Sequence, residues 1–129
     1  MRKTFTKEER LCSKSKIDSL FHGGSSFIIY PFRVVYFVRP VTSSTHPVQA
    51  ILSVSKRRFK RAHDRNRIKR LMREVYRLQK NELLYDEVMK YDLNLDLAIQ
   101  YVGKEELNFE LLFTKMNKTL KQLAHAISS

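Results

Sequence analysis

Residues 53–78 read SVSKRRFKRAHDRNRIKRLMREVYRL. Three kinds of structure meet in this stretch. Ser53 and Val54 close an apolar alternation. Lys56 to His63 have no apolar period and read as a flexible basic loop. From Asp64, a good N-cap residue, the pattern turns helical. At 100° per residue Ile68, Leu71, Met72, Val75 and Leu78 share one side. Arg70, Arg73 and Arg77 lie within about 40° of Asn66 on the opposite side. Arg65 and Arg67 flank that polar stripe. The helix therefore has a core face and a guanidinium face, and it must pack on something.

The charge of this stretch is equally specific. From Lys56 to Lys80 there are twelve basic residues against Asp64 and Glu74, a net of +10, while the whole chain nets +12. Residues 1–52 net +5 and residues 81–129 net −3. A folded chain holds so much like charge in one place chiefly where a polyanion meets it. A solvated face or a localisation signal is the bland alternative, and charge density together with helical register weighs against it. Arg presents two parallel N–H donors to a phosphate, Lys a point charge, and the helix start around Asp64 to Arg67 adds backbone N–H groups that favour anions.

Outward from this segment, 129 residues with 43% apolar content suit one domain with a real core. The chain is read as a single polyanion-binding domain over 1–129. Cys12 is the only cysteine, which excludes an internal disulfide framework and fits a reduced compartment. The apolar run Phe27 to Val38 is interrupted by Arg33 and falls short of the roughly 20 residues that span a bilayer. A soluble, cytoplasmic protein is expected.

Upstream, Thr4 to Arg10 is a polar arm. Ser15-x-x-Asp18 reads as a capping box for a short helix with Ile17, Leu20 and Phe21 on its stripe and a stop at Gly23-Gly24. Phe27 to Arg39 reads as one strand, with Phe32, Val34, Tyr36 and Val38 on one face and Arg33, Val35, Phe37 and Arg39 on the other. Pro31 marks an edge or a bulge. Pro40 to Pro47 is a turn, and Val48 to Val54 is a second strand, expected to pair with the first as an antiparallel hairpin. Downstream, Gln79 to Tyr91 is mixed and either continues the helix or covers an edge. Leu93, Leu95, Leu97, Ile99 and Tyr101 alternate as a half-buried strand that ends at Gly103. Asn108 caps a final helix with the stripe Phe109, Leu112, Phe113, Met116, Leu120, Leu123, Ala124 and Ile127. The order α-β-β-α-β-α predicts an α/β (α+β) two-layer sandwich, a small sheet with helices packed on it.

Enzyme signatures are sparse. There is no Gly-rich phosphate loop and no G-x-S-x-G, and His22, His46, His63 and His125 lack metal-ligand spacing. No catalytic residue and no metal ligand is assigned. Asp92-x-Asn94-x-Asp96 opens like a calcium loop, but Leu97 stands where Gly is required and Gly103 where the bidentate Glu belongs, so a solvated strand face is the better reading. Phe21, Phe32, Tyr36 and Phe37 are each core candidates first and base-stacking platforms second. Tyr36 and Phe37 point to opposite sheet faces, so at most one of them serves a given binding face.

Val54-Ser55-Lys56-Arg57, the run Arg61-Ala62-His63-Asp64-Arg65-Asn66-Arg67-Ile68-Lys69-Arg70-Leu71, and Arg73-Glu74 resemble the protein component of bacterial ribonuclease P, whose RNR motif opens a basic helix. Arg10-Leu11, the helix ending at Phe21, Gly24 and Asp96-Leu97-Ala98-Ile99 match as well, so the resemblance covers residues 9–127. It implies the ribonuclease P protein / ribosomal protein S5 domain 2-like fold, with a left-handed βαβ crossover through the RNR helix, where the general rule is right-handed. It also implies a ribonucleoprotein that removes the 5′ leader from precursor tRNA. There the RNA subunit hydrolyses with Mg2+ and the protein aids substrate affinity. By resemblance Lys56, Arg57, Arg58, Lys60, Arg61, Arg65, Asn66, Arg67, Lys69, Arg70 and Arg73 bind RNA, and Ile17, Phe21, Phe32 and Tyr36 line a cleft for the single-stranded leader. The implied partners are ribonuclease P RNA and precursor tRNA, with no membrane and no obligate protein partner. Two departures stand out: Ile17 replaces an aromatic residue, and Gln79 to Leu95 is longer than the family's usual link. The alternatives are a generic RNA-binding or ribosome-associated protein of similar fold, and a helix-turn-helix DNA binder, which a strand directly before the basic helix disfavours.

Overall fold

The computed structural model describes residues 5–40 and 47–128. Four helices and four strands follow in order: α1 Lys14–Gly23, β1 Ser25–Ile29, β2 Phe32–Pro40, β3 Val48–Val54, α2 Ala62–Lys80, α3 Asp86–Lys90, β4 Leu93–Tyr101 and α4 Phe109–Ser128. A 3-10 turn, Lys7–Glu9, precedes α1, and a π-helical turn, Asn81–Tyr85, joins α2 to α3. The element order agrees with the sequence reading except that its first strand is two.

Pro31 makes that difference. It sits in a two-residue turn with Tyr30, and β1 folds back antiparallel on β2 with Ile29 opposite Phe32. A turn uses proline's missing N–H without loss, whereas a strand interior does not. The second difference concerns pairing. β2 and β3 do not form a hairpin, because the sheet order is β1-β2-β4-β3. β4 lies between them, antiparallel to β2 and parallel to β3. The expected turn over Pro40 to Pro47 falls largely on residues 41–46, outside the described residues. β4 fits the central place because both of its faces are buried: Leu95, Leu97, Ile99 and Tyr101 on one side, Asn94, Asp96 and Ala98 on the other. A strand buried on both faces reads as apolar throughout only if nothing polar is paired there, and here Asp96 is paired. Its carboxylate accepts from Arg39 Nη2 at 3.0 Å and is 2% exposed. The solvated face expected for Asn94 and Asp96 is therefore corrected.

The main core lies between one sheet face and α2, α4 and the π turn. Phe32, Val34, Val48, Ala50, Leu97 and Ile99 meet Ile68, Met72, Val75, Leu112, Met116 and Leu120 there. α1 packs on the opposite face, where Leu20 meets Val35 and Ala98, with Ile17 and Phe37 beside them. Gly24 makes the close turn from α1 into β1: a Cβ there would fall 2.4 Å from the Leu20 carbonyl and 2.8 Å from the Tyr36 carbonyl.

The helix ends shift slightly from expectation. Ser13, not Ser15, caps α1, its Oγ accepting from the Lys16 N–H at 3.4 Å. α2 starts at Ala62 with Arg61 in the cap position, so Asp64 lies in the first turn, where its charge still suits the helix dipole. Asn108 caps α4 as expected, Oδ1 accepting from the Leu111 N–H at 2.9 Å. The Gln79 to Tyr91 segment continues α2. Its π turn brings Leu84 and Tyr85 into the core, with Val88 following in α3, and Asp92, at φ 52°, ends α3 in the left-handed region that Asp tolerates. The described part of the N-terminal arm, from Phe5, packs on the body of the protein. Leu11 N–H donates to the Ala50 carbonyl at 2.9 Å, so the arm runs along the outer edge of β3.

Candidate nucleic-acid interface

The basic loop between β3 and α2 is fastened at two points. Phe59 turns its ring against Tyr101, with centroids 5.9 Å apart. Arg65 then donates through Nη1 to the carbonyls of Phe59 and Lys60, each at 2.8 Å. Around those anchors Lys56, Arg57, Arg58 and Lys60 project into solvent. The loop is thus held more firmly than its composition suggests, and Arg65 acts first as its brace.

Along α2, Ile68, Met72 and Val75 are buried while Asn66, Arg70 and Arg73 are exposed, as the register predicts. Lys69 is half-buried. The arginines differ in their engagement. Arg77 donates to Glu74 at 2.5 Å, and this pairing holds the Glu74 carboxyl below the usual carboxylate range. Arg67 forms a bidentate pair with Glu106, from the link between β4 and α4, at 2.7 and 2.6 Å, and also donates to Asp64 at 2.9 Å. Hydrogen bonding from Arg67 lowers the Glu106 pKa and raises that of the guanidinium. Among the described residues, Lys56, Arg57, Arg58, Lys60, Lys69, Arg70 and Arg73 enter no ion pair. Those seven cations have no carboxylate partner among the described residues.

Two adjoining hollows lie on the other sheet face and at the edge of β3. One hollow of about 190 Å³ lies beside α1, lined by Phe21, Arg33, Val35, Ile51, Ser53, Ala98 and Gln100. A second, of about 220 Å³, lies between the N-terminal arm, β3 and α2, and its wall includes Arg10, Cys12, Ile51 and Arg73. Ile51 lines both hollows, so the two adjoin at β3, one beside the exposed ring of Phe21 and the other beside Arg73 of α2. Apolar Val35, Ile51 and Ala98, the exposed ring of Phe21, and Arg33, Arg10 and Arg73 in the two linings suit unpaired bases on a phosphate backbone. Among the described residues, no three His, Cys, Asp or Glu side chains gather to hold a metal ion, and no helix is long and apolar enough to cross a membrane.

The family model for Ribonuclease P matches residues 5–124. The chain belongs to the ribonuclease P protein family. The ribonuclease P protein component of Porphyromonas gingivalis is 38% identical over 127 residues, covering 96% of this chain and 89% of that one. The ribonuclease P protein component of Chlorobaculum tepidum is 44% identical over 103 residues, covering 72% of this chain and 64% of that one. Solved structures agree in fold. The ribonuclease P protein of Staphylococcus aureus superposes with a TM-score of 0.67 at 19% identity over 89% of this chain and 94% of that one. That of Thermotoga maritima gives 0.66 at 22% identity over 88% and 96%.

Within this ribonuclease P fold the four residues expected in the leader cleft separate. Phe21 lines the first hollow and is 54% exposed. Ile17 is half-buried against the small cluster under α1. Phe32 is fully buried in the main core, its ring 6.1 Å from that of Tyr101, and is corrected out of the cleft. Tyr36 shares its sheet face, packs against the same core and stacks edge-on to Phe27, so it too lies away from the two hollows. The alternation of β2 was read correctly, but α1 covers the opposite parity. Arg33 and Val35 line the hollow beside Phe21, and Phe37 lines a further hollow flanking α1 with Ser15, Ser19 and Arg39. The signal that finds them is the packing of Leu20 on Val35, which is a contact and not a spacing.

Proposed function

We propose that this chain is the protein component of a ribonuclease P ribonucleoprotein and that it works by binding two RNA segments at once. The cations of the loop and of α2, Lys56, Arg57, Arg58, Lys60, Lys69, Arg70 and Arg73, engage the catalytic RNA subunit. The adjoining hollows, from Phe21 across Val35 and Ile51 to Arg73, hold the single-stranded 5′ leader of precursor tRNA, bases toward the apolar side chains and phosphates toward Arg33 and Arg73. Hydrolysis belongs to the RNA subunit with Mg2+. The protein contributes substrate affinity by tying leader and RNA subunit to one rigid surface, which converts a loose encounter into a positioned one. The single observation that carries this reading is that the hollow beside Phe21 and the hollow beside Arg73 of α2 share Ile51, in a chain of this family.

Reconstitution tests it. The purified protein alone is expected to cut nothing. Added to a transcript of the ribonuclease P RNA, it is expected to allow 5′ processing of a precursor tRNA at lower Mg2+ than the RNA alone requires, and to favour leader-bearing over mature tRNA. An unchanged Mg2+ requirement together with equal affinity for both tRNAs would refute the proposal and leave a protein whose RNA binding tracks charge only.

A further inference from the structure

The second arginine of the RNR sequence does not offer its fork to solvent. Arg67 Nε donates to Glu106 Oε1 at 2.7 Å and Nη2 donates to Glu106 Oε2 at 2.6 Å, while Nη2 also donates to Asp64 Oδ1 at 2.9 Å. The Nε–Nη2 edge is thus filled by a carboxylate in the same two-oxygen geometry that a phosphodiester would use. Arg61 Nε lies 4.0 Å from Asp64, so Arg61 and Arg67 are matched by Asp64 and Glu106 at this end of α2. That is the helix N-terminus, where backbone N–H groups would otherwise favour an anion. The closure is also reversible: the Arg67 and Glu106 side chains are 45% and 35% exposed. Pairs so exposed hold weakly, and a ligand oxygen has a clear approach.

We propose that Glu106 is a selectivity residue that competes with RNA phosphate for Arg67. In the free protein Glu106 stands in for the phosphate. An RNA held by the other cations in the right place displaces Glu106 and gains the arginine fork. An RNA that touches the basic surface at random meets an arginine fork already occupied by a carboxylate. Glu106 therefore lowers affinity for unrelated RNA more than for the RNA that fits. This inference rests on the RNA-binding reading given above.

The test compares the wild-type chain with Glu106→Gln, which keeps the shape and removes the charge. Glu110→Gln serves as a control for net charge, since Glu110 is exposed at the start of α4 and makes no ion pair among the described residues. Binding is measured across a salt series to a ribonuclease P RNA transcript and to an unrelated structured RNA of equal length. Glu106→Gln is expected to tighten binding of the unrelated RNA by about two- to fivefold, the scale of one exposed ion pair. It is also expected to steepen the log–log salt slope by about 0.7–0.9, one phosphate contact. Glu110→Gln should give less than half of that gain, and the gain should vanish in the double variant Glu106→Gln/Arg67→Ala. The proposal is overturned if Glu106→Gln binds the unrelated RNA no tighter at an unchanged slope, or if the gain survives loss of Arg67. Failure of the underlying reading looks different: the wild-type chain would then show no preference for the ribonuclease P RNA, whatever stands at position 106.

Discussion

Lys80 should be among the most sensitive surface-remote positions in the chain. Its ammonium lies 2.9 Å from Glu9 Oε2, and the two side chains are 1% and 13% exposed. Tyr85 Oη donates to the same carboxylate oxygen at 3.1 Å, Tyr76 and Tyr85 hydroxyls are 3.1 Å apart, and the ammonium sits 4.3 Å from the Tyr85 ring centroid. Lys80→Met keeps most of the stem and removes the charge, which leaves the Glu9 side chain without its ammonium partner in a nearly dry site. Breaking one side of such a pair costs about 3–5 kcal/mol, and the retained Tyr85 hydrogen bond places this case near 3 kcal/mol. Removing both charges is different: Glu9→Leu/Lys80→Met should recover at least half of the loss, since a well-packed apolar pair replaces a buried ionic one at little cost. Urea unfolding followed by circular dichroism reads this as a lowered midpoint with an unchanged m-value. The stranded carboxylate regains water only when the arm leaves β3, so the Leu11 amide, bonded to the Ala50 carbonyl, should exchange faster in Lys80→Met. A loss below 1 kcal/mol, or a double variant no more stable than the single one, would refute the view that this buried pair fastens the arm.

Phe21→Ala should weaken holoenzyme binding of leader-bearing tRNA by about 1–3 kcal/mol, the scale of one stacked base, with little change in stability; an equal loss for mature tRNA would contradict the leader-site assignment. By contrast Phe32→Ala should destabilise by about 3–5 kcal/mol and leave the preference for leader intact in whatever remains folded. Arg70→Ala should flatten the salt dependence of RNA binding by about one contact, a slope change of roughly 0.7–0.9, and an unchanged slope would remove Arg70 from the interface. Burial holds the Tyr76 and Tyr85 phenols above their ordinary range. Because the folded values are raised, the contribution is fully present below the ordinary phenol pKa of about 10 and is lost as pH rises beyond it. Urea midpoints from pH 8 to 11 should therefore fall more steeply in the wild type than in Tyr76→Phe.

The local elements were largely legible because each carries its own period or cap. The α2 register, the α4 stripe with Asn108 before it, and the alternation of β4 all depend on neighbours within a few residues. What was not legible depends on distant partners. Nothing in Leu93 to Tyr101 says that β4 enters between β2 and β3, since alternation gives faces and not neighbours. The β1–β2 turn at Tyr30-Pro31 lacks the Gly or Asn that usually announces a tight hairpin. The faces of β2 were separated correctly, yet choosing the one beside Phe21 required knowing that Leu20 rests on Val35. Arg67 shows the same limit in the site itself: its position on the helix follows from the sequence, but its carboxylate comes from 39 residues away. Resemblance named the RNR segment without distinguishing the arginine that braces the loop from the one that is covered.

The central place of β4 has a consequence for biogenesis. β2 and β3 have no bond to each other, and only β4 joins them. The pairing of Phe32 with Tyr101 that completes the sheet spans more than half the chain. A polypeptide emerging from the ribosome as far as Asp92 has a local hairpin, a lone strand and a highly basic segment with no complete core beneath it. Assembly waits for the last third of the sequence, and such long-range closure is slow. The positively charged face is thus translated before the body that orients it can form. Any RNA met in that interval meets a basic chain that has charge but not yet shape.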